Sequence, residues 1–283
     1  MAMLDPLHPL QSAIIETDKI RKVIPYIDQD TFVIFNVGGT IYDPINTLAD
    51  PRWLEYAASR IEEKGEGSEI DEGLLQKVAH DINCQIPKRL KESFVAELID
   101  YLQGRSIVVL GMSQRKTALS YVDATGEVRQ EELSDLGIHF ERTQRYFCLS
   151  QHETDIRSTV DFVEGIILTG EEPVGKGLID FLGQTVRMPK RVVVIDRSRS
   201  SLEMIEEQLQ SLGISFVGVC YDGEEKDKEL DPSLGIIEYF ALNNEGKVLT
   251  DMDALELKPR DRTLNYELLF DKFIISSCVI MEK

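Results

Sequence analysis

The sequence predicts an α/β protein with a doubly wound, mostly parallel β-sheet. Three observations lead to this prediction. Short apolar runs rich in β-branched residues recur along the chain, helical patterns alternate with them, and a glycine or polar residue follows each run. Continuous apolar runs are typical of strands buried on both faces, and strands that alternate with helices are typical of a parallel sheet.

Five apolar runs are predicted as strands. In chain order they cover residues 31–36, 106–110, 159–169, 191–196 and 215–220. Helices are expected over 176–184 and 200–212, the second because Ser200 is a good N-cap residue and Gly213 a good C-terminal residue.

Some of the remaining segments are compatible with more than one kind of secondary structure. Residues 1–24 are expected to form a short helical lead-in, and residues 51–103 are expected to be helical because their apolar residues recur at helical spacing. Residues 121–129 are compatible with a hairpin or a loop, and residues 236–242 and 273–280 with strands or helices. The predicted organisation is an α/β core of residues 1–42 and 105–283, with a helical cap insertion of residues 43–104.

Composition and sequence pattern disfavour some classes of partner. The chain has 31 Lys and Arg against 50 Asp and Glu, a net charge of −19, which disfavours nucleic-acid partners. Its four cysteines lack metal-ligand spacing and are expected to be reduced and buried. No signal-peptide pattern and no long apolar window occur, so we expect a cytoplasmic protein without a membrane partner.

The residues after the strands are the candidate site residues, because parallel sheets bind ligands at the carboxyl ends of their strands. The first predicted strand ends in residues 36–40, Asn-Val-Gly-Gly-Thr, and Ser113 follows the second. Lys176 lies at a helix start after the third, and Asp196 and Arg197 end the fourth.

The order and spacing of these strand ends resemble the haloacid-dehalogenase superfamily over about residues 20–225. Segments 21–53, 165–182 and 189–223 resemble a bacterial subfamily of it. This resemblance implies a Rossmann-like core and the following correspondences. Thr40 keeps the threonine of the first motif, Ser113 falls on the hydroxyl that grips the phosphate, and Lys176 falls on the neutralising lysine. Asp196 keeps the first of two acidic positions that hold magnesium.

Three positions depart from that family's pattern. Asn36 stands in place of the attacking aspartate, Gly38 in place of the acid/base aspartate, and Arg197 in place of the second acidic residue. A neutral amide is a poor nucleophile, and glycine cannot donate a proton to a leaving group. An arginine also opposes magnesium, which prefers carboxylate and phosphate oxygens.

The expected function is therefore that of a catalytically inactive relative, which binds a small phosphorylated ligand or a protein partner. No cofactor is predicted, and magnesium binding is expected to be weakened. One alternative is a magnesium-dependent phosphatase that uses another carboxylate, such as Asp43 or Asp196. Another is a pure protein-interaction module.

Each surviving site residue also has a plain structural interpretation. Ser113 and Asp196 are suitable helix caps, and Lys176, Arg197 and Arg199 are compatible with solvated surface positions. Residues 170–177 nearly fit the phosphate loop GxxxxGK[ST], but Gly177 occupies the position of the hydroxyl that binds magnesium. An NTPase is accordingly the less favoured interpretation.

Overall fold

The computed structural model describes residues 12–64, 82–113, 132–145, 160–169, 172–223 and 229–258. The strands are β1 (Ala13–Thr17), β2 (Thr31–Asn36), β3 (Tyr42–Pro44), β4 (Lys88–Leu90), β5 (Val108–Ser113), β6 (Asp161–Val163), β7 (Ile166–Leu168), β8 (Arg191–Asp196) and β9 (Ser215–Tyr221). The α-helices are α1 (Pro51–Lys64), α2 (Phe94–Gly104), α3 (Val174–Gly183), α4 (Arg199–Ser211), α5 (Pro232–Glu245) and α6 (Asp251–Leu257). Short 3-10 helices cover Ile20–Tyr26, Thr47–Ala49 and Phe140–Arg145.

Seven strands form one sheet in the order β1-β9-β8-β2-β5-β7-β6, and β3 pairs with β4 separately. All neighbours in the large sheet are parallel except β6 and β7. From β2 the chain continues to β5 on one side and later returns to β8 on the other. The topological switch point therefore lies between β2 and β8, where such sheets bind their ligands.

Alternate residues of the central strands face opposite sides of the sheet. Val33 and Phe35 of β2 pack with α2 and the 3-10 helix of Ile20–Tyr26, whereas Phe32 and Ile34 pack with α3 and α4. All four side chains are buried. This two-sided burial explains why β2 and β8 are apolar throughout, and it confirms the predicted α/β class with a mostly parallel sheet.

Two segments differ from the prediction. Residues 13–17 are not part of a helical lead-in but form the edge strand β1, because the free edge of β9 supplies their hydrogen-bond partners. Residues 159–169 do not form one strand but contain the antiparallel pair β6 and β7. Glu164 and Gly165 between them both have positive φ, +50° and +87°, as a two-residue hairpin turn requires.

The chain divides into two compact units. The first lies within residues 1–43, 90–117 and 123–226, and the second within residues 44–89, 118–122 and 227–283. These bounds differ from the expected insertion of 43–104 in two ways. Helix α2 packs on the large sheet and belongs to the first unit, and residues 227–258 belong to the second.

The core of the second unit joins two segments that are far apart in the sequence. Leu48, Trp53 and Ala57 of the first segment pack with Ile236 of α5. Residues 236–242, which were compatible with a strand or a helix, lie within α5. Residues 121–129 and 273–280 lie outside the described residues. Within the described part of the chain, no helix is both long enough and apolar enough to cross a membrane.

Candidate functional site

The turn after β2 brings the first group of predicted site residues to the switch point. Asn36 is half-buried and lies beside Met112 of β5, and Gly38 is exposed. Gly39 has a φ of +69°, which glycine adopts without strain. The turn is anchored at its start, because the Val37 N–H donates to the Met112 carbonyl over 2.9 Å.

Asp196 lies at the end of β8, on the strand adjacent to β2, and is only 1% exposed. Its Oδ1 accepts the Ser198 N–H over 2.8 Å, whereas its Oδ2 has no hydrogen-bond partner among the described residues. Burial raises the pKa of this carboxyl above its ordinary value, although the Ser198 N–H, the Asn36 side chain and the Arg197 charge oppose that rise. Asp196 is thus a buried group that holds the start of α4.

Thr40 and Arg197 connect the β2 turn to the end of β8. The Arg197 N–H donates to Thr40 Oγ1 over 3.2 Å, and Thr40 is buried. The Arg197 side chain lies over Gly39, so a Cβ at that position would be 3.2 Å from Arg197 Cδ and 3.3 Å from Nη1. Arg197 is exposed, and its guanidinium makes no ion pair or hydrogen bond with the described residues.

The other two predicted cations are already paired. Lys176, in the first turn of α3, lies 2.7 Å from Glu172 Oε1 and is 54% exposed. The Glu172 carboxylate raises the pKa of Lys176, so the lysine stays charged. Arg199 contacts Glu16 at 2.5 Å and Glu203 at 3.0 Å. Lys176 is therefore paired with a residue just before its own helix. Residues 170 and 171 of the near-match to a phosphate loop lie outside the described residues.

Ser113 and Thr169 end the neighbouring strands β5 and β7. The Thr169 N–H donates to the Ser113 carbonyl over 3.1 Å, and both side chains are buried. The Thr169 hydroxyl has no hydrogen-bond partner among the described residues. Gly177 allows this approach of α3, because a Cβ there would lie 2.6 Å from Thr169 Cβ. Two hydroxyl groups thus lie at the same edge as Asn36 and Asp196.

A magnesium ion does not fit these residues. Asp196 is the single carboxylate that the predicted site contributes, and Arg197 places a positive charge next to it. Within the described residues, no group of three His, Cys, Asp or Glu side chains is arranged to hold a metal. Magnesium is usually held by one or two carboxylates together with waters, but here the one carboxyl has a raised pKa and an arginine charge beside it.

Lys91 is a charged residue near this edge that the sequence did not single out. Its Nζ lies 3.1 Å from Asp43 Oδ2 and 3.5 Å from the Asp222 carbonyl, and its side chain is only 9% exposed. The Lys91 N–H also donates to the Ile41 carbonyl over 3.0 Å. Asp43, a candidate alternative nucleophile, is therefore held in an ion pair. No local sequence signal marks Lys91, because its partners come from distant segments.

Comparison with known proteins matches most of the chain to one family. Residues 14–253 match the family described as "Protein of unknown function (DUF2608)". The chain is also similar to the uncharacterized protein RP296 of Rickettsia prowazekii (strain Madrid E), with 22% identity over 244 residues, which cover 86% of this chain and 88% of that protein. No solved structure matches the chain significantly. Because the family match covers well over half of the chain, this chain belongs to the DUF2608 family.

Proposed function

We propose that this chain is a haloacid-dehalogenase-like protein that has lost phosphatase chemistry and binds a small phosphorylated ligand at the carboxyl edge of its sheet. The four strand ends on which the resemblance depends belong to consecutive neighbours in the sheet, in the order β8-β2-β5-β7. The switch point between β2 and β8 supports this edge as the binding position. In chain position, residues 44–89 of the second unit correspond to the cap insertion of that superfamily.

The chemistry of the edge supports binding rather than catalysis. Asn36 and Gly38 provide no anionic nucleophile and no acid. Asp43 and Asp196 are the two carboxylates that could replace the missing nucleophile. Asp43 pairs with Lys91, and Asp196 is buried and accepts the Ser198 N–H. A covalent phosphoryl transfer needs an accessible anionic oxygen. Asp196 is buried, and Asp43 Oδ2 is held by the Lys91 ammonium, which opposes its attack on phosphorus.

Arg197 is the observation that carries the proposal. The protein has a net charge of −19, and most of its described arginines and lysines near the site are paired with carboxylates. The Arg197 guanidinium instead lies over the glycine turn without an ion pair to the described residues. A planar guanidinium binds phosphate oxygens in a bidentate manner, and it neutralises charge where a metal would otherwise be needed.

The proposal is tested by calorimetric titration of inorganic phosphate into the full chain, without added metal. Replacing Arg197 by Gln should weaken binding roughly 10-fold or more, because a hydrogen bond to a charged group contributes about 1.5–3 kcal/mol. Arg199→Gln is the matched control, since Arg199 is two residues away but already paired. Equal affinity in the wild type and Arg197→Gln would contradict the proposal.

Turnover of an aryl phosphate is the second readout. The wild type should be silent with or without magnesium, whereas the double variant Asn36→Asp with Gly38→Asp should gain magnesium-dependent turnover. Wild-type turnover clearly above the buffer rate would mean that another group acts as nucleophile, and the inactive-relative proposal would be wrong.

A further inference from the structure

The second unit contains a carboxyl pair that the proposed ligand site does not use. Glu238 of α5 is 1% exposed, and its Oε2 accepts the Leu48 N–H over 2.7 Å. Asp251, the first residue of α6, accepts both the Thr47 N–H over 2.6 Å and the Thr47 hydroxyl over 2.9 Å through Oδ1. Both acids therefore hold the same 3-10 turn, Thr47–Ala49, from two different helices.

Because Asp251 accepts the Thr47 N–H and Glu238 accepts the next N–H along the turn, that of Leu48, the two carboxyl groups lie close together. Glu238 Oε1 is buried and has no N–H or O–H donor among the described residues. The charge and side chain of Asp251 act on Glu238 and, after burial itself, help to raise the pKa of Glu238 to about 8. Glu238 is buried and Asp251 half-buried, so two ionised carboxylates at this spacing would repel each other, and one retained proton removes that repulsion.

The charged groups around this pair form ion pairs or helix caps with other residues. The 3-10 turn contributes backbone N–H groups and no charged side chain. At the start of α1, Asp50 and Arg52 pair with each other at 2.8 Å. On the other side, Asp231 before α5 pairs with Lys258 at 2.7 Å, and Asp253 of α6 caps its own helix through Thr250. None of these groups brings a cation to Glu238.

We propose that Glu238 and Asp251 share a proton, and that this proton-bridged pair fastens the turn Thr47–Ala49 to helices α5 and α6. The pair thereby joins the two distant chain segments that build the second unit. A divalent cation is the other species that could join two carboxylates, but it needs about six oxygen ligands. Here Glu238 Oε2 and Asp251 Oδ1 already accept N–H or O–H groups, and a shared proton needs no further ligand.

This arrangement makes the second unit sensitive to pH. The ordinary pKa of glutamate is 4.5, and the pKa of Glu238 in the folded chain is about 8. The folded chain therefore holds more protons than the unfolded chain between these values. The contribution of the pair is fully present below the lower value and is lost as the pH rises through the upper one.

Trp53 provides the local probe for the test. It is the single tryptophan of the chain, it is 3% exposed, and it packs in the same unit. Followed by tryptophan fluorescence, the thermal midpoint of the wild-type full chain should fall by roughly 5 °C or more between about pH 6 and about pH 9. Glu238→Gln should remove this fall, because the amide keeps an acceptor for Leu48 and donates to Asp251 without ionising. Glu245→Gln, at the exposed end of α5, is the matched control and should follow the wild type.

Three results would overturn the proposal. One is a pH dependence in Glu238→Gln equal to that of the wild type. Another is a rise of the wild-type midpoint at about pH 8 on adding calcium or magnesium that Glu238→Gln lacks and Glu245→Gln keeps, which would place a cation between the two carboxylates. If Glu238→Gln fails to fold, the side-chain carboxyl ¹³C shifts of the wild type decide. A carboxyl that titrates near pH 8 supports the pair, and titration of every carboxyl below about pH 6 refutes it.

Discussion

At the scale of single residues, Asp196 is a buried carboxyl whose ionised form is unfavourable. It is buried at the end of β8, its Oδ1 accepts the Ser198 N–H, and its Oδ2 has no partner among the described residues. In a site with several carboxylates and a metal ion, that second oxygen would coordinate the ion. Here Asn36 and Arg197 are the groups beside it, and burial raises its pKa despite them. Ionised Asp196 therefore costs stability that increases as the pH rises above the ordinary aspartate range.

Two substitutions of Asp196 should accordingly have opposite effects on stability. Asp196→Asn keeps an oxygen for the Ser198 N–H and removes the buried charge, so the free energy of unfolding at pH 7 should be unchanged or higher. Asp196→Ala leaves that N–H without its partner and should lower the free energy of unfolding by about 1–3 kcal/mol. Urea denaturation of both variants measures the difference. Equal destabilisation by both would show that the negative charge itself is needed, as it would be with a bound cation.

At the level of elements, close approach of helix α3 to the sheet edge depends on one missing side chain. Gly177 lies against Thr169 at the end of β7, where a Cβ would be 2.6 Å from Thr169 Cβ and Cγ2. In the sequence, Gly177 occupies the position at which a phosphate loop has a serine or threonine hydroxyl. In the structure the glycine is a packing requirement, because α3 carries Leu178 and Phe181 into the core beneath the sheet.

Alanine substitutions within this one helix test the packing role. Gly177→Ala should lower the free energy of unfolding by about 1–3 kcal/mol, because the new methyl group overpacks the contact with Thr169. Gly183→Ala, at the end of the same helix, has no described atom within 4 Å of the added carbon and should be neutral or stabilising by up to about 1 kcal/mol. Chemical denaturation provides the comparison, and equal effects at both positions would refute the packing argument.

The elements also differ in how well local pattern predicted them. Strands β2 and β8 were predicted with their observed bounds, because burial on both faces leaves an uninterrupted apolar run. Strand β1 was missed, since its strand conformation depends on pairing with β9 some 200 residues away. The hairpin of β6 and β7 was missed as well, because Glu164-Gly165 is not one of the dipeptides typical of two-residue hairpin turns.

On the scale of the whole molecule, the chain builds two units, and the second depends on both halves of the sequence. Trp53 of α1 donates its indole N–H to the Pro232 carbonyl over 3.1 Å and packs on Gly235. The 3-10 turn of residues 47–49 is likewise held by α5 and α6. An insertion of residues 43–104 alone would lack these partners, which explains why its expected bounds differ from the observed unit.

Truncation tests this dependence. A chain that ends at residue 226 should lose the burial of Trp53, so its tryptophan emission should shift towards that of an exposed indole. A chain that ends at residue 258 separates the loss of α5 and α6 from the loss of the final 25 residues, and it should keep the emission of the full chain. Unchanged emission after truncation at residue 226 would mean that residues 44–89 bury Trp53 by themselves.

The sequence by itself determined the α/β class, the strands of the sheet centre and the residue types at the strand ends. These depend on local periodicity and on the absence of Asp at positions 36 and 38, both of which are readable without coordinates. Only the tertiary structure decided which cations are ion-paired, since Lys176 and Arg199 pair with carboxylates whereas Arg197 makes no ion pair with the described residues. It also decided the edge strand, the unit bounds and the Glu238–Asp251 pair. The physical reason is the same in each case: hydrogen bonds, ion pairs and burial join residues that are far apart in the chain, and no local pattern records them.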